Sequence, residues 1–248
     1  MEQVALLAEE IRDADTVVAL TGAGMSTASG IPDFRSDSGI WNRFNPEDFD
    51  YRRFRGDPEG FWVDRVELHE TMFGKTIEPN PAHDALRELG EEGYLHAIIT
   101  QNTDGLHDGT TPAELIELHG NAHHVVCASC GRRTDAAPIS ARVKSGERPP
   151  RCGHCDGVFK PDVVLFGEQL ERTDLQNARE CSRKADVFFA IGSSLSVEPA
   201  ASLPRVADRN GATTAVINFD ETPFNTLSDF DIHGDVTDVL PNLRNSVM

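Results

Sequence analysis

The chain has few lysines, two tyrosines and no long apolar segment, and these shortages exclude several classes of protein. It contains only four lysines, and 23 Lys+Arg against 41 Asp+Glu give a formal net charge of −18. So acidic a surface repels phosphate backbones, and we expect no direct binding to nucleic acid. No stretch reaches the ~18 apolar residues that a membrane helix needs. Acidic residues also interrupt the first apolar stretch, so we expect neither a membrane anchor nor a signal peptide, and a cytoplasmic location.

The acidic excess also indicates adaptation to high salt. Repulsion among the acidic side chains destabilises the compact chain in dilute buffer, whereas counterions screen that repulsion. We therefore expect the chain to come from a salt-adapted prokaryote.

Cysteine is scarce, yet four of the five thiols form two CxxC pairs. Two such pairs are typical of a tetrahedral zinc site, and four sulfur ligands leave no open position, so the zinc would be structural. The alternative is two unrelated redox CxxC motifs. The fifth thiol, Cys181, is expected to be an ordinary core residue. The expected metal ligands are Cys127, Cys130, Cys152 and Cys155.

Short apolar runs alternate with helical patterns along the chain, which predicts an α/β fold. We expect a doubly wound, parallel, Rossmann-like sheet with a smaller zinc-binding module inserted. The large nucleotide-binding domain would comprise residues 1–36, 76–120 and 161–248. Residues 37–75 would form a helical insertion, and residues 121–160 a four-cysteine zinc ribbon that needs its metal to fold.

Four segments follow predicted strands, at the sheet edge where such folds bind ligands: 22–35, 101–107, 192–194 and 218–220. Their small and amide-bearing residues also favour turns, so each segment alone is a weak signal. The first has Gly22 and Gly24 but Thr27 in place of a third glycine. The acidic residue of the dehydrogenase fingerprint is also missing. This pattern favours a dinucleotide site but argues against routine hydride transfer.

Several motifs together identify a family. GAGMSTASGIPDFR, TQNTDGLH, His119-Gly120, the two CxxC pairs, KPDVVLFGE and GSSLSVEPA follow one another between residue 21 and about residue 220. This combination resembles the sirtuin family. The resemblance implies an NAD-dependent protein-lysine deacylase, most simply a deacetylase, which transfers the acyl group from lysine to ADP-ribose and releases nicotinamide. It also implies NAD as a consumed co-substrate, one structural zinc, and acylated lysine side chains of proteins as partners.

The resemblance also assigns roles to residues. His119 matches the general base, a task that suits imidazole because its pKa lies near neutrality. Asn102 and Asp104 match catalytic residues of the nicotinamide pocket, and the alternative explanation for both is an Asx turn. The cofactor-binding set is Gly22, Ala23, Gly24, Ser26, Asp33, Phe34, Arg35, Trp41, Gln101, Asn102, Thr103, Asp104, His119, Gly192, Ser193, Ser194, Asn218, Phe219, Asp220 and Val236. The substrate-binding set is Val164, Leu165, Phe166, Gly167 and Glu168.

Some residues depart from the family pattern. Met25 and Thr103 each stand where isoleucine is usual, and Trp62 with Arg65 replaces the Tyr-x-x-Arg pair of members that prefer acidic acyl groups. We therefore expect acetyl or another short neutral acyl group. There are three alternative functions. The missing third glycine argues against an NAD-dependent oxidoreductase, and the net charge of −18 argues against the nucleic-acid form of a non-enzymatic zinc-binding scaffold or nucleic-acid module. Mono-ADP-ribosyl transfer would use the same site and stays open.

Overall fold

The computed structural model describes residues 2–34, 36, 39–107 and 113–248. Its helices are α1 (Glu2–Asp13), α2 (Tyr51–Gly56), α3 (Pro58–Phe73), α4 (Pro81–Glu91), α5 (Ala136–Lys144), α6 (Arg172–Lys184), α7 (Leu203–Arg209) and α8 (Val236–Val247). Its strands are β1 (Val17–Thr21), β2 (Ala97–Thr100), β3 (Glu114–Glu117), β4 (Gly120–Cys127), β5 (Arg133–Asp135), β6 (Phe159–Val163), β7 (Val187–Ile191), β8 (Thr213–Asn218) and β9 (Phe230–His233). Among the described residues, no helix is both long and apolar enough to span a bilayer.

The large sheet has six parallel strands in the order β3-β2-β1-β7-β8-β9. Every residue of β1 and β7 is buried, as expected for apolar strands covered on both faces. One face packs on α1, α4 and α8, and the other on α6 and α7. The expected doubly wound α/β fold is confirmed.

The strand order reverses between the two central strands, β1 and β7. The chain leaves β1 toward one edge of the sheet and returns at β7 to build the other half. Open α/β sheets bind ligands in the crevice at the carboxyl ends of the strands where the order reverses, which here are β1 and β7.

A second, antiparallel sheet of β5, β4 and β6 carries α5. It shares an apolar cluster with α2 and α3, in which Trp62 donates from Nε1 to the carbonyl oxygen of Phe159 at 2.8 Å. The helical segment (α2 and α3) thus packs directly on the cysteine-bearing module (β4, β5, α5 and β6). The three-part domain division stays a prediction, and β6 runs across its boundary at residue 161.

Two elements are shorter than the sequence predicted. The apolar pattern of residues 94–100 predicts a strand, and the observed strand starts at Ala97. The pattern of residues 197–211 predicts one helix, whereas the structure has a 3₁₀ turn at Ala200–Ser202 followed by α7. Pro204 favours a helix that starts at Leu203, because a proline in the first turn of a helix leaves no intrahelical hydrogen bond unmade.

Candidate active site

The loop after β1 is fixed to the loop after β7 by backbone hydrogen bonds. The amide of Gly22 donates to the carbonyl of Ile191 at 3.0 Å, and that of Gly24 donates to Gly192 at 2.8 Å. A Cβ on Gly22 would lie 2.8 Å from the Gly192 carbonyl and the Ser193 side chain. The two loops therefore meet backbone to backbone, and two short 3₁₀ turns, Ala23–Met25 and Thr27–Ser29, follow Gly22.

Gly24→Ala is expected to lower the free energy of unfolding by about 1–3 kcal/mol, because forced overpacking costs that much. The added Cβ would lie 2.9 Å from the backbone of Gly192, so the two loops would have to separate. Gly56→Ala is the matched control, since its Cβ would meet nothing within 4 Å. Denaturant unfolding of both variants measures the difference, and equal midpoints would contradict the close approach of the loops.

A buried polar network joins the first loop to the segment after β2. Asn102 donates from Nδ2 to the Gly22 carbonyl at 3.0 Å and to Ser26 Oγ at 3.1 Å. Ser26 is only 1% exposed, and its hydroxyl donates to Asp104 Oδ2 at 2.7 Å. Gln101 donates from Nε2 to Ser193 Oγ at 2.7 Å and so joins the third loop. These bonds go well beyond local Asx turns, although Asp104 also accepts locally, at Oδ1, from the amide of Leu106.

His119 lies between the two sheets, in the short connection from β3 to β4. Its Nδ1 is 2.9 Å from the carbonyl oxygen of Gln101. A carbonyl oxygen only accepts, so Nδ1 carries the proton and Nε2 of the neutral ring keeps its lone pair. Burial lowers the pKa of His119, against the opposing effect of the bond to Gln101. The neutral ring, able to accept a proton at Nε2, therefore prevails at neutral pH.

The segment predicted to bind substrate starts beside His119. The amide of Val164 donates to the His119 carbonyl at 2.9 Å, and Phe166 is 44% exposed. The carboxylate of Glu168 accepts from the amide of Leu165 at 3.0 Å and fixes the turn that follows. Leu165 itself is buried in the apolar cluster of the small sheet, so its side chain contacts the core.

Aromatic rings line the approach to this segment. Phe34 stacks on Trp41 with ring centroids 5.4 Å apart, and Trp41 lies 5.6 Å from Phe166. The Trp41 amide donates to the carbonyl of Phe34, and the amide of Ile40 donates to that of Asp33. The structure thus brings the predicted residues of the 33–41 loop together with the substrate segment. Arg35 lies outside the described residues.

The remaining predicted residues follow the central and outer strands. Asn218 ends β8 and donates from Nδ2 to the carbonyl of Asp220 at 2.7 Å, and Phe219 is 78% exposed. Ser194 is exposed next to the buried Ser193. Val236, at the start of α8, packs into the core beneath the sheet. Ala23 begins the first 3₁₀ turn, and the carbonyl of Thr103 accepts from the amide of Ala122 at 2.8 Å. The roles of all these residues stay predictions.

Sequence reasoning missed several residues that hold the site in place. Asn80, predicted only as a helix cap, also donates from Nδ2 to the carbonyl of Met25 at 2.9 Å. His123 reaches the carbonyl of Asp104 with Nε2 at 2.7 Å. Lys160 donates to Glu168 at 2.9 Å, and Asp50 pairs its backbone with Phe166. The contacts of Asn80, His123 and Asp50 join segments far apart in the chain, so no local pattern predicts them, whereas Lys160 and Glu168 are the first and last residues of the motif KPDVVLFGE.

The four sulfur atoms of the CxxC pairs form one cluster. Each lies within 4.8 Å of the others, with 3.4 Å between Cys127 and Cys155 and 4.0 Å between Cys130 and Cys152. Zinc–sulfur bonds of about 2.3 Å in a tetrahedron put sulfurs about 3.8 Å apart, so the cluster fits zinc.

The thiols of the cluster differ in their pKa values. Burial raises the pKa of Cys127, but hydrogen bonds from the amides of Cys130 and Ser129 outweigh burial and lower it to about 7. Although the Gly157 amide opposes it, the neighbouring thiols Cys130 and Cys127 raise the pKa of Cys155 to about 12. Four sulfurs this close cannot all ionise without a cation.

Comparison with known proteins agrees with this geometry. The model of the Sir2 family matches residues 22–199. The NAD-dependent protein deacetylase of Haloarcula marismortui is 49% identical over 242 residues, which cover 97% of this chain and 93% of that protein. The solved structure of a Sir2 protein with a p53 peptide and NAD+ superposes with a TM-score of 0.86 at 34% identity, covering 97% of this chain and 96% of that one. Another, with a deacetylated p53 peptide and 3'-O-acetyl ADP ribose, gives 0.89 at 33% identity, covering 97% and 96%. This chain belongs to the Sir2 family.

Proposed function

We propose that the protein is an NAD-dependent protein-lysine deacetylase that passes the acyl group to ADP-ribose and releases nicotinamide. The observation that carries the proposal is the hydrogen bond from His119 Nδ1 to the carbonyl oxygen of Gln101. This bond orients the imidazole ring at the rim of the crevice and leaves Nε2 able to accept a proton. The Ser26–Asn102–Asp104 network lies on the same rim. Similar proteins from Haloarcula marismortui and Pyrobaculum aerophilum are named NAD-dependent protein deacetylases.

The crevice between the β1 and β7 loops suits NAD. Gly22 and Gly24 have no side chains, so the loops after β1 and β7 pack backbone against backbone, and the half-buried backbone of residues 23–24 would lie beside the pyrophosphate. Ser193, Ser194 and Asn218 would hold the adenosine half, and Asn102 with Asp104 the nicotinamide half. Bound NAD would supply the ribose carbon from which nicotinamide leaves. Phe34 would exclude water from that carbon.

His119 would take a proton from a ribose hydroxyl. Since its Nδ1 donates to a carbonyl, the ring is oriented with Nε2 available, and no rearrangement is needed before the transfer. The bond that the Val164 amide makes to the His119 carbonyl fixes the backbone on its other side.

The pH dependence of activity follows from the lowered pKa of His119. The base works only when neutral, so activity falls as pH drops through that pKa, and the acid limb of kcat/KM is expected below the usual histidine pKa of about 6.5. A pH profile with acetyl-lysine peptide measures it. An acid limb centred above 6.5 would contradict the burial argument.

The protein substrate would bind to the segment after β6. An extended peptide could add its backbone to residues 164–167, in the manner of β-strand addition. Val164 and Phe166 would then flank the acyl-lysine together with Trp41, which lies against Phe166. We infer that acylated lysine side chains of proteins are the partners.

We propose a preference for acetyl or another short neutral acyl group. Trp62 is turned into the apolar cluster and donates to the Phe159 carbonyl, so it does not replace the tyrosine of the acid-preferring members. The test is deacylation of matched acetyl-lysine and succinyl-lysine peptides, followed by mass spectrometry. A higher kcat/KM for the succinyl peptide would overturn the preference.

Zinc would be bound by the four thiolates and would be structural. Four cysteines complete a tetrahedron and leave no open coordination position. We infer a cytoplasmic location from the same cluster, because unpaired thiols at zinc-ligand spacing are typical of reducing compartments.

We also propose salt adaptation, supported by the net charge of −18. The melting temperature is expected to rise between dilute buffer and molar KCl, because counterions screen repulsion among the acids. Thermal unfolding in both buffers is the measurement. Equal melting temperatures would contradict salt adaptation.

The deacetylase proposal itself is tested with an acetyl-lysine peptide and its unacetylated counterpart. We expect nicotinamide release and loss of the acetyl group only when NAD and the acetylated peptide are both present. Nicotinamide release that is independent of the acetyl group would indicate simple NAD hydrolysis and would overturn the proposal.

A further inference from the structure

The motif KPDVVLFGE is closed by an ion pair between its first and last residues. Lys160 donates from Nζ to Glu168 Oε2 at 2.9 Å. Their side chains are 13% and 23% exposed, less than those of any other ion pair among the described residues. The other lysines of the chain are all exposed, so Lys160 is the one lysine withdrawn from solvent. We call Lys160 and Glu168 the motif ion pair.

Both members of the motif ion pair also bind the backbone between them. Lys160 Nζ donates to the carbonyl of Val163 at 2.7 Å. Glu168 Oε2 accepts from the amide of Leu165 at 3.0 Å, and the amide of Glu168 donates to the Leu165 carbonyl at 3.0 Å. The path of the backbone from residue 163 to residue 168 therefore depends on one ammonium and one carboxylate, and not on turn residues alone.

The backbone held in this way belongs to the segment proposed to bind the protein substrate. Neighbouring elements hold the same segment at alternate residues. The Val164 amide donates to the His119 carbonyl, and the carbonyl of Phe166 accepts at 2.8 Å from the backbone amide that follows Asp50. The motif ion pair fixes the residues between these two, 163 and 165. Phe166, 44% exposed, is thereby held at the surface.

We propose that Lys160 is a positioning residue for the protein substrate. The inference rests on the proposed function, since it takes residues 164–167 as the place where the peptide binds. The ammonium neutralises the Glu168 carboxylate, which therefore stays in the interior and keeps its bond to Leu165. The segment would have its binding conformation before the peptide arrives, so binding would not have to order it.

Glu168 would act on the substrate through the backbone and not by direct contact. Its Oε2 is shared between the ammonium of Lys160 and the amide of Leu165. Without the ammonium, a carboxylate that is largely withdrawn from water would lack a counter-charge, which is costly. The side chain would turn toward solvent and release the Leu165 amide. Only the fraction of molecules with the segment in place would then bind peptide, and the apparent affinity would fall by that fraction.

Steady-state kinetics with an acetyl-lysine peptide and NAD tests the inference. Lys160→Met keeps most of the side-chain length and removes the charge. We expect the KM for peptide to rise about tenfold or more, the scale of one lost hydrogen bond to a charged group, while kcat and the KM for NAD stay within about threefold. Lys160→Arg should retain most of the peptide affinity, because a guanidinium also donates to carboxylates. Lys144→Met is the matched control and should equal the wild type, since Lys144 is an exposed lysine paired with Glu70.

A double variant separates positioning from general stability. If the two charges act as a unit, Lys160→Met with Glu168→Gln should raise the KM for peptide no more than Lys160→Met alone. An unchanged KM for peptide in Lys160→Met, a parallel rise in the KM for NAD, or multiplied effects in the double variant would overturn the inference. If Lys160→Met does not fold, the double variant, which lacks both charges, is compared with the wild type instead. A wild-type protein that does not turn over the acetylated peptide would overturn the proposed function on which the inference rests.

Discussion

His119→Ala is expected to lower kcat/KM for an acetyl-lysine peptide by about 10²–10⁴-fold, the usual contribution of a positioned general base. The alanine removes Nε2, the one atom of this residue that is free to accept a proton, since Nδ1 is bound to the Gln101 carbonyl. Backbone contacts should survive, because Val164 bonds to the carbonyl of residue 119 and not to its side chain. Steady-state kinetics with mass spectrometry of the peptide is the measurement.

Two controls separate catalysis from folding in this experiment. His154→Ala replaces an exposed histidine and should retain wild-type kcat/KM. The His119→Ala protein should also keep its zinc content and its melting temperature. If His119→Ala retained activity within a few-fold of the wild type, His119 would not be the base.

Loss of one zinc ligand is the change with the largest expected effect on stability. Cys152→Ser should abolish zinc binding and unfold the module, because structural zinc contributes on the order of 10 kcal/mol of folding free energy. That is comparable to the whole stability of a typical domain, about 5–15 kcal/mol. The small sheet also packs on α3, so the helical segment should loosen with it. Zinc content by atomic spectroscopy and thermal unfolding give the result.

Cys181→Ser is the matched control for that experiment. Cys181 is a half-buried thiol outside the cluster, 3.9 Å from a carboxylate oxygen of Glu114, and should leave the zinc content unchanged. Full zinc content in Cys152→Ser, or two intramolecular disulfides in the wild-type protein, would contradict the zinc site.

The fold was largely predictable from local patterns. The buried strands β1 and β7 are continuous apolar runs, and Asp57-Pro58 and Asn80-Pro81 mark the starts of α3 and α4. The pairing of the strands and the reversal between β1 and β7 are non-local, and only alternation with helices constrained them. The sequence pattern predicts too long a helix at α7, because the apolar spacing continues through the preceding 3₁₀ turn at Ala200–Ser202.

The candidate site was predictable where motifs are contiguous and hidden where they are not. Gly22, Gly24 and Asn102 lie in recognisable segments, and the structure brings them to one rim. The second bond of Asn80 and the contact of His123 with Asp104 cross long stretches of chain, so a sequence pattern cannot reveal them.

The most direct test of the proposed chemistry is to quantify three products of one reaction by mass spectrometry: nicotinamide, deacetylated peptide and acetylated ADP-ribose. We predict equal amounts of all three at every time point, since one acyl transfer consumes one NAD. Free acetate without nicotinamide, or reduced NADH with any substrate, would contradict the assignment of this crevice to NAD-consuming deacetylation.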